Sequence, residues 1–147
     1  MSGTAERRRG NGARALARKL ALQSLYRWQL NPCPWQDLVL EFDLAEEAPR
    51  TDREHFTSLV RTVAEQREEL DAQLAQWLDR PPAELDPVEH AALWIGLAEL
   101  RSHPEIPFRV AITEAVGLAR RFGATDGHKF VNAVMDRAAR ALRPHEH

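Results

Sequence analysis

Two or three cations, an amide and a phenol on one side of a helix are groups suited to holding single-stranded RNA. Arg18, Lys19, Gln23, Tyr26 and Arg27 have that composition and spacing. Cations meet phosphates, an aromatic ring stacks on a base, and an amide reads a base edge. The same residues also fit a plain solvated helix face with Tyr26 partly buried, because basic helix surfaces are common. A second group lies further along the chain. Phe130 falls about 100° from the centre of the face set by Val131, Val134, Met135 and Ala138, beside Asp126, Lys129 and Ala133. There Phe130 can stack on a base while Lys129 meets a phosphate and Asp126 accepts from a base amino group. The simpler alternative packs Phe130 against a neighbouring helix and uses Asp126 as a helix cap.

Other chemistry is poorly provided for. Of six histidines (His55, His90, His103, His128, His145, His147), only the tail pair is closely spaced, and it follows Pro144 in what reads as a frayed end. No zinc site is expected from that pattern. Ser58 lies near His55, but neither the shaped turn nor the oxyanion hole that a nucleophile needs is signalled. The seven glycines are scattered rather than gathered into a phosphate loop. Glu65, Glu68, Glu69 and Asp71 read as a solvated helix face. The expectation is a binding protein, not an enzyme, with no cofactor and no metal.

The elements that must position these groups are helical. Leu16, Ala17, Leu20, Ala21, Ser24, Leu25 and Trp28 form the apolar side of a first helix starting near Ala13 and ending by Asn31 to Pro34. Gly10-Asn11-Gly12 separates it from Arg7, Arg8 and Arg9, so residues 1–12 read as a mobile basic arm. A short apolar pattern runs from Trp35 to Leu44. Thr51-Asp52-Arg53-Glu54 reads as a capping box opening a long helix to Leu78, with a break expected between Glu65 and Glu69. Asp86-Pro87-Val88-Glu89 opens the next helix with an N-cap acid and a proline at the first helical position. Phe108 to Phe122 follows, stopped by Gly123, and Thr125 or Asp126 caps a last helix through Leu142. No sustained period-two pattern occurs, so the expected fold is all-α, six or seven helices in one domain over residues 13–143, with 144–147 as a disordered tail.

Charge is distributed unevenly. The first 27 residues hold seven Arg or Lys against one acid, which leaves −8 on the other 120 residues of a chain with net charge −2. A polyanion gripped near that end follows from the asymmetry. The chain is 147 residues long, enough for one filled core and short for two. A single cysteine, Cys33, excludes an intramolecular disulfide. No apolar run approaches the ~20 residues of a membrane helix, and the basic start lacks the apolar core of a secretory signal. Cytoplasmic localisation is expected.

Longer motifs carry a resemblance. Ile106-Pro107-Phe108-Arg109-Val110-Ala111-Ile112-Thr113-Glu114-Ala115-Val116, then Leu118 to Ala124 and Asp126-Gly127-His128-Lys129-Phe130-Val131-Asn132-Ala133-Val134-Met135-Asp136, closely resemble the NusB family of bacterial transcription antitermination factors. Arg14 to Gln29, and Asp86-Pro87-Val88-Glu89 followed by Leu97-Ala98-Glu99-Leu100, resemble the same family in the same order. The resemblance implies two small packed helical bundles that bind RNA without chemistry. It implies pairing with NusE, a ribosomal protein that doubles as a transcription factor, on the boxA element of ribosomal RNA operon transcripts. With other Nus factors on RNA polymerase, that complex suppresses termination. By matching position, RNA contacts fall on Arg14, Arg18, Lys19, Tyr26, Asp126, Lys129 and Phe130, with Gln23 on the same helix face. The partner-facing acid falls on Glu89.

The chain also departs from the family pattern. Gly10-Asn11-Gly12 interrupts the arginine run, and Ala15 and Leu16 stand where further basic residues are frequent. Each lost phosphate contact flattens the salt dependence of binding by about one unit of slope. Trp94 replaces a common basic residue near the expected partner surface, either as an exposed apolar anchor or as core. Two competing readings remain: a homodimer that masks its own RNA surface, and a domain serving an RNA methyltransferase. The second is disfavoured because no cofactor-binding domain follows before His147.

Overall fold

The computed structural model describes the backbone of residues 3–146, with side chains from residue 10 onward. The side chains of Arg7 to Arg9, and His147, therefore lie outside the described residues. The described residues form six α-helices: α1 (Gly3–Leu30), α2 (Trp35–Asp43), α3 (Arg53–Ala75), α4 (Pro87–Ser102), α5 (Phe108–Phe122) and α6 (Gly127–Leu142). Short 3-10 turns occupy Ala48–Arg50, Pro82–Glu84 and Pro144–Glu146, and no strand occurs among the described residues. Helices α4, α5 and α6 pack mutually, while α1 and α3 pack on each other and on α4, with α2 against α3. The fold is all-α, built from these two joined groups.

Local chemistry explains most boundaries. Asp86 caps α4, its carboxylate accepting from the amides of Val88 at 2.9 Å and Glu89 at 3.2 Å, with Pro87 where its missing N–H costs nothing. For α3 the cap is Asp52, accepting from the His55 amide at 2.9 Å, so the expected Thr51/Glu54 capping box is displaced by one residue. Thr51 instead donates its hydroxyl to the Glu47 carbonyl at 2.7 Å. The expected break in α3 occurs at Gln66, whose φ −121° and ψ 22° leave the helical region.

Two expected boundaries are corrected. Helix α1 begins at Gly3, so Gly10-Asn11-Gly12 lies inside it rather than ahead of it. Two interior glycines cost a helix roughly 1 kcal/mol each relative to alanine, a smaller penalty at the end of an existing helix than nucleating a new one. The expected frayed end is a 3-10 turn from Pro144 to Glu146, where Glu146 accepts from the Phe108 amide at 3.0 Å and pairs with Arg143. Arg143 is itself buried and donates to the carbonyls of Glu99, Leu100, His103 and Ile106, closing the C-terminal end of α4.

Helix α4 is the central element, buried without interruption from His90 to Leu100. It packs closely on α6 because Gly96 leaves room for Met135: a Cβ there would stand 2.5 Å from the methionine methyl carbon. Phe42 stacks on Phe56 with ring centroids 4.2 Å apart, holding α2 to α3.

Candidate nucleic-acid interface

The basic side of α1 is largely neutralised within the fold. Arg18 is only 4% exposed. Its Nε donates to Glu99 Oε2 at 2.7 Å and its Nη1 to Glu114 at 3.1 Å. Glu99 is fully buried and shares that oxygen with His55 Nε2, also 2.7 Å away. Arg18, expected on the solvent side, is therefore a core ion-pair residue and is not available to RNA. Arg14 pairs with Asp52 at 3.5 Å and Glu105 at 3.2 Å. Lys19 donates to Glu47 at 3.2 Å, and this contact holds the Glu47 carboxyl below the usual carboxylate range. The next turns are more open: Gln23 and Arg27 are exposed and Tyr26 is 38% exposed, although Arg27 pairs with Glu41 at 2.6 Å. Gln23, Tyr26 and Arg27 line a groove of about 600 Å³ with Leu22, Val88 and Phe122, where α1 meets the start of α4 and the end of α5.

The start of α6 adjoins this end of the molecule through Glu89. A Cβ on Gly127 would stand 2.3 Å from Glu89 Oε2, so glycine lets the acid lie where it does against the first turn of α6. Burial there, and then the neighbouring Asp86 carboxylate, raise the Glu89 carboxyl above its ordinary range, with Arg80 pulling it back. A folded-state pKa above the unfolded one means that ionised Glu89 costs stability, and the cost appears as pH rises through the carboxylate range. Glu89→Gln is expected to raise the melting temperature at pH 7 by about 1–3 °C, with the gain vanishing in acid. Thermal melts from pH 3 to 8 measure this, and a variant that melts lower at pH 7 would refute it.

Asp126 takes the left-handed conformation at φ 68° as the N-cap of α6, yet its side chain makes no capping bond. Its carboxylate instead meets Lys129 Nζ at 3.2 Å. The Lys129 side chain is 72% exposed. Phe130 is half-buried against the core, and the guanidinium of Arg80 lies 5.0 Å over its ring. The structure thus brings Asp126, Lys129, Phe130 and Glu89 together, with Gln23 and Tyr26 on the adjoining groove. It leaves Arg14, Arg18 and Lys19 engaged further down α1.

Trp94 is fully buried, and its indole donates to Asp71 Oδ1 at 2.8 Å. It therefore cannot be a partner-facing anchor. Sequence reading missed Arg80, Val88 and Phe122. Arg80 sits in the turn before Pro81-Pro82 and reaches Phe130 only through the tertiary fold. Ser58 meets His103 rather than His55, at 3.0 Å, inside α3 where the backbone amides are committed to the helix ladder. Among the described residues no group of three or more His, Cys, Asp or Glu is placed to hold a metal ion. No helix among them is long and apolar enough to cross a membrane.

Comparison with known proteins agrees with this architecture. The sequence model described as the NusB family matches residues 15–140. The transcription antitermination protein NusB of Pseudoalteromonas atlantica is 42% identical over 134 residues, covering 91% of this chain and 96% of its own. That of Hahella chejuensis is 44% identical over 133 residues, covering 90% and 89%. Among solved structures, Thermotoga maritima NusB superposes with a TM-score of 0.78 at 25% identity, covering 90% of this chain and 94% of its own. A NusB crystallised with NusE and double-stranded RNA gives 0.66 at 28% identity, covering 85% and 94%. A family match along most of the chain, relatives above 40% identity and the shared helical architecture lead to one conclusion: this chain belongs to the NusB family of transcription antitermination proteins, which act by binding and not by catalysis.

Proposed function

We propose that this chain binds boxA RNA of ribosomal RNA operon transcripts together with NusE and so suppresses termination by RNA polymerase, alongside other Nus factors, in the cytoplasm. The observation that carries this reading is the convergence at one end of the molecule of Gln23, Tyr26 and Arg27 with Glu89, Asp126 and Lys129. Such an end offers cations, an amide and an exposed phenol for RNA, and an acid beside an apolar groove for a protein partner. Support also comes from the similar NusB solved with NusE and RNA. Glu89, with no hydrogen-bonded cation among the described residues, is suited to pairing with a basic residue of NusE.

Fluorescence anisotropy with a boxA RNA and a scrambled RNA, with and without NusE, tests the proposal across a salt series. Binding should prefer boxA, strengthen with NusE and weaken with salt. Lys129→Glu, at an exposed position, is expected to weaken RNA binding about tenfold or more while leaving the melt within about 2 °C of wild type. Affinity that ignores both sequence and NusE would overturn the reading. Weak binding with a mass that rises with concentration would favour the self-masking dimer.

A further inference from the structure

Because Arg18 is buried and Arg14 and Lys19 are paired with acids, the cations near Phe130 must come from elsewhere, and the fold supplies them from outside α1. Arg80, from the segment between α3 and α4, lays its guanidinium 5.0 Å over the Phe130 ring. Its Nε is held by Asp79 at 3.1 Å, while its two terminal amino groups make no hydrogen bond among the described residues. Arg137, two turns beyond Phe130 on α6, donates from Nη1 to the Trp77 carbonyl at 3.0 Å. Both Arg80 and Arg137 lie close enough to Asp79 to hold its carboxyl below the usual range. Lys129 completes the cationic edge.

Resting on the RNA-binding reading above, we infer that Arg80 is an RNA phosphate-contacting residue and that Phe130 is its positioning residue, rather than a platform for a base. The guanidinium, 5.0 Å over the ring, covers a face that a base would need. The inner part of the side chain packs against the core. A planar cation stacked on an aromatic ring keeps its edge donors free, and two parallel N–H groups match two phosphate oxygens. RNA then follows the α6 edge past Lys129 and Arg80 toward Arg137. Contact of this kind carries no base information, so its loss affects all sequences alike.

The test is a double-mutant cycle on the full-length protein, read by anisotropy with the boxA and scrambled RNAs, with NusE present, over a salt series. Arg80→Ala should weaken both RNAs about fivefold and reduce the salt slope by about 0.7, the value for one single-strand phosphate contact. Phe130→Leu should cause a similar loss in the wild-type background and almost none in the Arg80→Ala background, while Phe130→Tyr, which keeps the ring, should restore binding. Arg80→Ala that leaves affinity and slope unchanged, or tightens binding, overturns the assignment and returns the ring face to a base. Additive losses from Arg80→Ala and Phe130→Leu overturn the positioning role. If the wild type binds neither RNA, the RNA-binding reading itself fails, an outcome distinct from wild-type binding with Arg80→Ala unchanged.

Discussion

Arg18→Met is expected to destabilise the protein by about 3–5 kcal/mol, because it strands a buried carboxylate whose desolvation the guanidinium had offset. Glu99 is fully buried, and of its two oxygens Oε2 takes both contacts while Oε1 has no hydrogen-bond partner. Removing Arg18 leaves His55 alone, among the described residues, against that carboxylate. In a chain of this length the loss corresponds to a fall in melting temperature of about 10 °C or more. Arg18→Met combined with Glu99→Leu should recover most of it, since an apolar pair of similar volume avoids the desolvation cost. Thermal melts of the two single variants and the double variant measure the effect. If Arg18→Met melts within a degree or two of wild type but loses RNA affinity, the residue acts at the surface and the core assignment is wrong.

Trp94→Ala is expected to cost about 3–5 kcal/mol, the range for emptying a large aromatic site in a packed core. The indole stands 5.9 Å from Trp28 in an edge-on arrangement and 4.0 Å from the His90 ring. Arg67 covers both indoles, at 5.2 Å from Trp28 and 5.4 Å from Trp94. Asp71 Oδ1 accepts from the Trp94 indole and meets His90 Nε2 at 2.7 Å, so truncation also strips the carboxylate of one donor. Trp94→Phe keeps most of the volume and loses the hydrogen bond, for about 1–3 kcal/mol. Denaturant melts rank the series. Preserved stability with lost NusE affinity would restore Trp94 to the partner surface.

These two residues show where sequence stops informing. The 3.6 period located the helices, the Asp86 cap and the irregularity at Gln66, because each depends on residues within a turn or two. That period also assigns each residue to one of two faces, and α4 has no solvent face over its central eleven positions, so the same pattern fits Trp94 as anchor or as core. Arg18 carried a local signal that the face assignment overrode. Leu22 and Leu25, four and seven residues on, are both buried beside it, yet its charge put Arg18 on the expected solvent face with Lys19 and Gln23. What made the charge tolerable is Glu99, 81 positions away, and no local pattern reports it. The neighbourhood of Asp126, Lys129 and Phe130 was legible because it spans little more than one helical turn. Its junction with Glu89 depends on the missing side chain of Gly127, and its cover by Arg80 on a contact across 50 residues.

The guanidinium of Arg143 has a further consequence for how the molecule opens. Four carbonyls at the α4–α5 corner accept from the guanidinium of a residue at the far end of α6, and two of them, those of Glu99 and His103, also accept from the amides of His103 and Ile106. When α6 lifts away, all four carbonyls lose the guanidinium together, and the corner is left with its own backbone bonds alone. Corner and last helix therefore form one cooperative unit, a foldon whose opening exposes both at once.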